Sequence, residues 1–232
     1  LSQNFLHNQE LVKFLVRQSS IGEKDLVLEI GPGRGIITNE LLQIASQVIA
    51  IEKDTSLVFK SHPRLNLIYG DFLEFTPPTR NYKVFSNIPF SITAEIIKKL
   101  LNDDFLQEAY LIVQKEAAQK FMSQTLVSVL YYPWWEMKIV YEFKRTDFSP
   151  VPRVDSVLLH IKRRITPLIK DQNKQTYLDY AAYYFGRNKK FKHLPLSQWP
   201  TLYKTENKIK GAYAKLLVEQ NQLPKIHRTR KY

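Results

Sequence analysis

Asn87-Ile88-Pro89-Phe90 sets a carboxamide, a proline-fixed turn and an aromatic ring side by side. The Asn87 side-chain oxygen and the Ile88 backbone carbonyl can each accept one hydrogen of an amino group, while Pro89 fixes the turn between them. That pair suits the exocyclic amine of a base such as adenine, whose lone pair is delocalised into the ring. Two acceptors make the nitrogen more tetrahedral and aim it at an electrophile, and Phe90 can stack on the base. Where positioning supplies the acceleration no base with a tuned pKa is needed, so the want of a catalytic histidine is no objection. Taken alone, the same four residues also make an ordinary turn.

Glu29-Ile30-Gly31-Pro32-Gly33-Arg34-Gly35 gathers three of the seven glycines between an apolar run and a helical pattern. Glycine lets the backbone turn sharply and lets a ligand approach with no Cβ in the way. Taken alone, such a turn is open to two readings, a tight strand-to-helix connection or a dinucleotide site. Glu52 follows Gly31 by 21 positions and ends the next strand, where a carboxylate can accept from both hydroxyls of a ribose. The glycines run G-x-G-x-G where a pyrophosphate site wants G-x-G-x-x-G, which favours S-adenosylmethionine over a nicotinamide dinucleotide. In Gly70-Asp71-Phe72 the Asp71 carboxylate can accept from an adenine amine while Phe72 packs on the ring. In isolation Asp71 serves equally as a turn residue.

Short buried strands must hold these groups at their carboxyl ends. Leu26–Ile30, Val48–Ile51, Asn66–Tyr69, Lys83–Ser86 and Ala109–Val113 read as strands, with helices at 36–45, 94–101 and 115–121. An opening helix presents Leu11, Phe14 and Leu15 on one face, and two extended segments close the pattern, Glu136–Glu142 and Val154–Lys162. Strands alternating with helices predict an α/β domain with a mostly parallel sheet and an antiparallel edge, over residues 1–164. Thr166-Pro167 breaks the pattern near Ile165, and residues 165–232 are expected to form a small, basic, mainly helical domain. The Tyr177, Tyr180, Tyr183, Tyr184 spacing is that of a helix packing its core, and it assigns none of these rings to a partner.

Charge is divided in the same way. Of 34 Lys and Arg and 22 Asp and Glu, residues 161–232 hold 17 and 4, leaving 17 and 18 for the first 160. A near-neutral front joined to a strongly basic rear suggests that catalysis and polyanion binding are partly segregated, with Lys189, Lys190 and Lys192 as candidate polyanion contacts; charge alone does not choose between DNA and RNA. With 232 residues and 44% hydrophobic composition the chain can bury a substantial core. It has no cysteine, which removes disulfides and thiolate ligands, and its five histidines are scattered, so no metal site is expected. No apolar run reaches the roughly 18 residues of a membrane span, and no signal-peptide pattern opens the chain. A cytoplasmic monomer without membrane contact is the expectation.

Five motifs, Ser2-Gln3-Asn4-Phe5-Leu6, Glu29–Gly35, Gly70–Phe72, Asn87–Phe90 and Phe148–Ser156, occur in the order and spacing of a known family. Through them residues 1–163 resemble the Rossmann-like methyltransferases that unite the erythromycin-resistance enzymes with the small-subunit ribosomal RNA adenine dimethyltransferases. The resemblance implies contacts of S-adenosylmethionine, leaving as S-adenosylhomocysteine, with Asn4, Leu6, Gly31, Gly33, Glu52, Asp71, Phe72 and Asn87. It further implies that Asn87 holds the target amine and that Phe90 and Phe148 lie against a flipped adenine, although Phe148 also fits a core aromatic. Asn-Ile-Pro-Phe and the stretch 145–156 look more like the resistance branch. That branch implies N6 methylation of one adenine in 23S ribosomal RNA before assembly is complete, with macrolide, lincosamide and streptogramin B resistance. The alternatives are a small-subunit dimethyltransferase, a non-catalytic nucleic-acid-binding relative and a DNA adenine methyltransferase. Between Phe121 and Thr125 the chain is shorter than the family's usual basic loop.

Overall fold

The structure, a computed structural model, describes residues 5–187, 191, 193–203 and 207–222. Asn4, Lys189, Lys190 and Lys192 therefore lie outside the described residues. The chain divides into two compact units: Leu1–Phe121 with Trp135–Arg163, and Met122–Trp134 with Arg164–Tyr232.

The first unit is built on a seven-stranded sheet. Its strands are β2 (Leu26–Ile30), β3 (Gln47–Glu52), β4 (Leu65–Tyr69), β5 (Tyr82–Asn87), β6 (Leu106–Gln114), β7 (Trp135–Glu142) and β9 (Ser156–Arg163), in the order β4-β3-β2-β5-β6-β9-β7. The first five in that order are parallel, and β9 runs antiparallel to both β6 and β7. Every residue of β2 is buried, as a parallel strand covered on both faces requires. β7 alternates instead, exposing Glu136, Lys138, Val140 and Glu142, and charges along an edge discourage pairing with another chain. A second, two-stranded ribbon pairs β1 (Phe5–Leu6) with β8 (Phe148–Ser149), joining Leu6 to Phe148 and Phe5 to Ser149.

Helices α1 (Gln9–Gln18), α2 (Ile36–Ile44), α3 (Thr93–Leu101) and α4 (Lys115–Met122) follow the apolar periodicity. On α1 the expected face holds at Leu15, which is buried, and at Leu11, which packs against the core, but not at Phe14, which is 52% exposed; Val12 and Val16 are buried in its place. Two aliphatic side chains at roughly 1.5–3 kcal/mol each outweigh one phenylalanine. Among the described residues no helix fills 53–64 or 70–81, so the crossovers into β4 and β5 are loops.

The second unit differs from the contiguous 165–232 expected, because residues 122–134 pack with it. Backbone bonds explain the recruitment: Arg164 N–H donates to the Trp134 carbonyl at 2.8 Å and Leu168 N–H to that of Pro133 at 2.9 Å. α5 (Leu126–Tyr131) was not foreseen, and its Val129 carbonyl accepts from the buried Tyr177 hydroxyl of α6 (Lys174–Arg187) at 2.8 Å. Tyr180, Tyr184, Phe191 and Trp199 form an aromatic core, with Tyr184 stacked on Phe191 at 5.2 Å between centroids. Tyr180 is thus a core ring, consistent with its helical spacing. α7 (Trp199–Leu202) and α8 (Ala212–Gln222) complete the unit.

Candidate active site

Four consecutive carboxyl ends, those of β2, β3, β4 and β5, carry the site, where an open α/β sheet binds its ligands. Gly31 and Gly33 take φ of +67° and +55°, a region that a side chain rarely enters, so the turn requires glycine at both. A Cβ at Gly31 would meet nothing within 4 Å, leaving room beside the backbone, whereas one at Gly33 would fall 2.7 Å from the Phe5 ring. The Arg34 guanidinium stands 5.2 Å from that ring's centroid. Gly31 N–H extends the sheet ladder by donating to the Ile51 carbonyl at 2.9 Å.

Glu52, only 2% exposed, clamps the turn: Oε2 accepts from Gly33 N–H at 3.0 Å and Oε1 from Asp54 N–H at 2.9 Å. Each carboxylate oxygen has two lone pairs, so one acceptor position remains on each. Beside it lies Glu29, 1% exposed, with Oε2 meeting no hydrogen-bond partner. Burial pushes the Glu29 carboxyl up to about 8; Thr38 at the start of α2 pulls it down and the neighbouring Glu52 adds to the rise.

The turn after β4 is held from two sides. Asp71 Oδ1 accepts from Leu73 N–H at 2.8 Å and Oδ2 pairs with the Lys53 ammonium at 2.9 Å, which holds the Asp71 carboxyl below its ordinary range. Gly70 N–H donates to the Glu52 carbonyl at 2.8 Å, so the Asp71 turn and the Glu52 strand end are one backbone unit.

On the other flank, β2 and β5 share ladder partners only at Val27 with Lys83 and Leu28 with Val84. The buried Ser86 hydroxyl continues the connection by accepting from Ile30 N–H at 2.8 Å. That bond sets Asn87 beside the glycine turn. Past it, the Pro89 carbonyl accepts from Ile92 N–H at 3.2 Å and from the Thr93 hydroxyl at 3.4 Å, fixing the approach to α3. Ile88 is buried; Asn87, Pro89 and Phe90 are half-buried.

Residues 1–190 match the family described as ribosomal RNA adenine dimethylase. The chain belongs to that family. It is 38% identical over 174 residues to an rRNA adenine N-6-methyltransferase of Bacteroides fragilis, covering 70% of this chain and 65% of that one. It is 36% identical over 185 residues to the ribosomal RNA small subunit methyltransferase A of Chlorobaculum parvum, covering 74% and 68%. The crystal structure of the 23S rRNA methyltransferase ErmE superposes with a TM-score of 0.71 at 29% identity, over 77% of each chain. The chain thus spans less than two thirds of the length of the first of these curated relatives and 68% of the second.

In this adenine dimethylase family member the structure brings together Gly31, Gly33, Glu52, Asp71 and Asn87 and differs at three aromatic or aliphatic positions. Phe72 does not offer a ring to a ligand: it is 4% exposed and the Lys99 ammonium lies 4.9 Å from its centroid. Phe148 is 1% exposed and packs edge-on against Phe143 at 5.4 Å, so it takes the core role, and Phe90 is the ring left at the rim. The Leu6 side chain joins the same core. Glu29 and Ser86 were missed as functional groups. A lone acidic residue inside a fully buried strand was the available signal for Glu29; nothing local marked Ser86.

Proposed function

We propose that this chain methylates the exocyclic N6 of an adenine in ribosomal RNA, with S-adenosylmethionine as the methyl donor. The carrying observation is that Gly31, Glu52, Asp71 and Asn87 sit on four consecutive strand ends in a member of the adenine dimethylase family. The residues fit the donor. The open space beside Gly31, the unpartnered Glu29 Oε2 and the remaining acceptor positions of Glu52 match a ligand that carries a cation and a ribose diol. Asn4, the Leu6 backbone, Gly31, Gly33, Glu52 and Asp71 would hold it, Phe72 backing the Asp71 turn from within. Its chemical contribution is an electrophilic methyl on sulfonium.

Asn87 Oδ1 and the Ile88 carbonyl accept the two N6 hydrogens, localising the lone pair on nitrogen and pointing it at the methyl. Phe90 stacks on the extruded base, offsetting part of the few kcal/mol that flipping costs. The nitrogen loses a proton after transfer; alkylation makes that proton acidic enough to leave to water without a tuned base. The basic excess after residue 160, including Lys189, Lys190 and Lys192, supplies the phosphate contacts.

The target is proposed to be 23S RNA before assembly is complete, with macrolide, lincosamide and streptogramin B resistance as the result. Asn-Ile-Pro-Phe and the likeness to the 23S rRNA methyltransferase ErmE support it. The 36% identical small-subunit relative supports a second reading, the same chemistry on small-subunit RNA. Transfer of labelled methyl to protein-free 23S and 16S RNA in parallel, mapped by primer extension, separates them. A stop at one 23S adenine supports the first, label confined to 16S RNA selects the second, and no label on either refutes the proposed activity.

A further inference from the structure

α3 begins directly after the Asn87–Phe90 motif, and Lys99 lies in its last turn. The Lys99 side chain is half-buried and turns toward the backbone that follows β4. Its ammonium donates to the backbone carbonyls of Phe72 at 2.7 Å, of Leu73 at 2.8 Å and of Phe75. A lysine ammonium has three donors, and one turn occupies all of them. That turn is the one whose Leu73 N–H orients Asp71 Oδ1. Phe72 closes the arrangement by placing its ring against the same ammonium at 4.9 Å. Partial burial lowers the Lys99 pKa while Asp71 and Asp103 nearby favour its charge. Lys53 acts differently: it is 75% exposed and pairs with Asp71 Oδ2, the oxygen that the Leu73 N–H does not use.

We propose that Lys99 is a positioning residue that fixes the 71–75 turn from α3, so that the Asp71 carboxylate meets the exocyclic amine of the cofactor's adenine. The inference rests on the reading of Asp71 as the adenine acceptor and adds the group that aims it. It also ties two parts of the site, because the helix that starts at the amine-holding motif carries the cation that shapes the cofactor turn. A cation with a merely structural role would weaken all ligands alike. One that aims Asp71 affects the choice between an amine and a carbonyl at position 6 of the purine, since a carboxylate accepts from the first and repels the second.

The test is calorimetric binding of S-adenosylhomocysteine and of its inosine analogue, S-inosylhomocysteine, to the full chain and to Lys99→Met and Lys99→Arg. Wild type should prefer the adenine ligand by about tenfold or more, the scale of a hydrogen bond to an ionised group. Lys99→Met should compress that ratio to about twofold, and Lys99→Arg, which keeps charge and donors, should retain most of it. Both dissociation constants come from one preparation, so the ratio is independent of the fraction folded; should Lys99→Met not fold, Lys99→Gln reads the same quantity. A Lys99→Met protein that keeps the tenfold preference, with both affinities reduced equally, overturns the inference. A wild type that binds neither ligand, or both equally, refutes the Asp71 reading itself and takes the inference with it.

Discussion

The carboxyl edge of the sheet and the second unit both bury carboxylates, and they use them differently. In the second unit Asp179, buried on α6, accepts from Gly211 N–H at 3.0 Å and Tyr213 N–H at 2.9 Å, so its acceptors cap the start of α8. Amides left open at a helix start need such a partner, and the carboxylate meets two of them while also accepting from the Gln175 amide at 3.2 Å. At the sheet edge, Glu52 satisfies two backbone amides and still keeps acceptor capacity, while Glu29 is buried with an oxygen that meets no partner. Buried polar groups are ordinarily paired, and the exceptions concentrate at functional sites. One region therefore uses its buried carboxylate to close a fold, and the other keeps buried carboxyl oxygens in reserve for a ligand. The surfaces divide as well, since the basic excess lies after residue 160 and the sheet unit is nearly neutral.

The largest expected effect tests the unpartnered carboxyl. Folded Glu29 holds its proton up to about pH 8, whereas the unfolded chain releases it near the ordinary 4.5. The folded pKa is raised, so the associated stability is complete below about pH 4.5 and is lost as pH rises through 8. The ligand-free protein should lose on the order of 1 kcal/mol per pH unit across that window relative to Glu29→Gln, whose amide does not titrate. Paired urea titrations from pH 5 to 8 measure the difference. His160, whose pKa burial lowers, contributes with the opposite sign but equally in both proteins. Parallel pH profiles would mean that Glu29 is already ionised and partnered, and the contrast with Asp179 would fail.

Next in size is Asn87→Ala. It removes an acceptor aimed at the amine but leaves the Ser86 bond and the glycine turn intact, so the single-turnover rate should fall about 10²–10³-fold. S-adenosylhomocysteine affinity should change by only a few-fold. A variant with near-normal turnover removes Asn87 from the chemistry and leaves the sheet edge a cofactor site alone.

Much of this edge was legible because its signals are local. A run such as Leu26–Ile30, apolar but for one glutamate, announces a strand covered on both faces, and three glycines in five residues announce a turn with positive φ. Glu52 was legible by position, but its two backbone partners were not, since they depend on how the turn closes. Phe148 could not be resolved between a stacking ring and a core ring, because an aromatic after an edge strand has the same pattern in both roles. The β1–β8 ribbon has two residues per strand, too short for a period, and joins opposite ends of the first unit's sequence. The recruitment of residues 122–134 into the second unit rests on carbonyls of Pro133 and Trp134, which every residue type presents alike. Lys99 was illegible for a different reason: in sequence it reads as one of two lysines on a solvated helix face, and only the fold directs it to the Phe72 and Leu73 carbonyls.

The smallest expected effect per site falls on the basic side of the comparison. Lys189, Lys190 and Lys192 lie within the region of net positive charge, where each phosphate contact displaces a condensed counterion. Replacing all three with glutamine should lower the slope of log affinity against log salt by about two to three, taking each contact as worth roughly 0.7–0.9. Phosphate contacts carry no base identity, so binding should weaken by a similar factor on 23S and 16S fragments, and S-adenosylhomocysteine affinity should stay unchanged. Filter binding across a salt series measures both slope and selectivity. An unchanged slope would move the polyanion contacts off this stretch. A loss confined to one RNA would mean that these lysines read the shape of the target, and the separation between a site that chooses and a surface that only grips would give way.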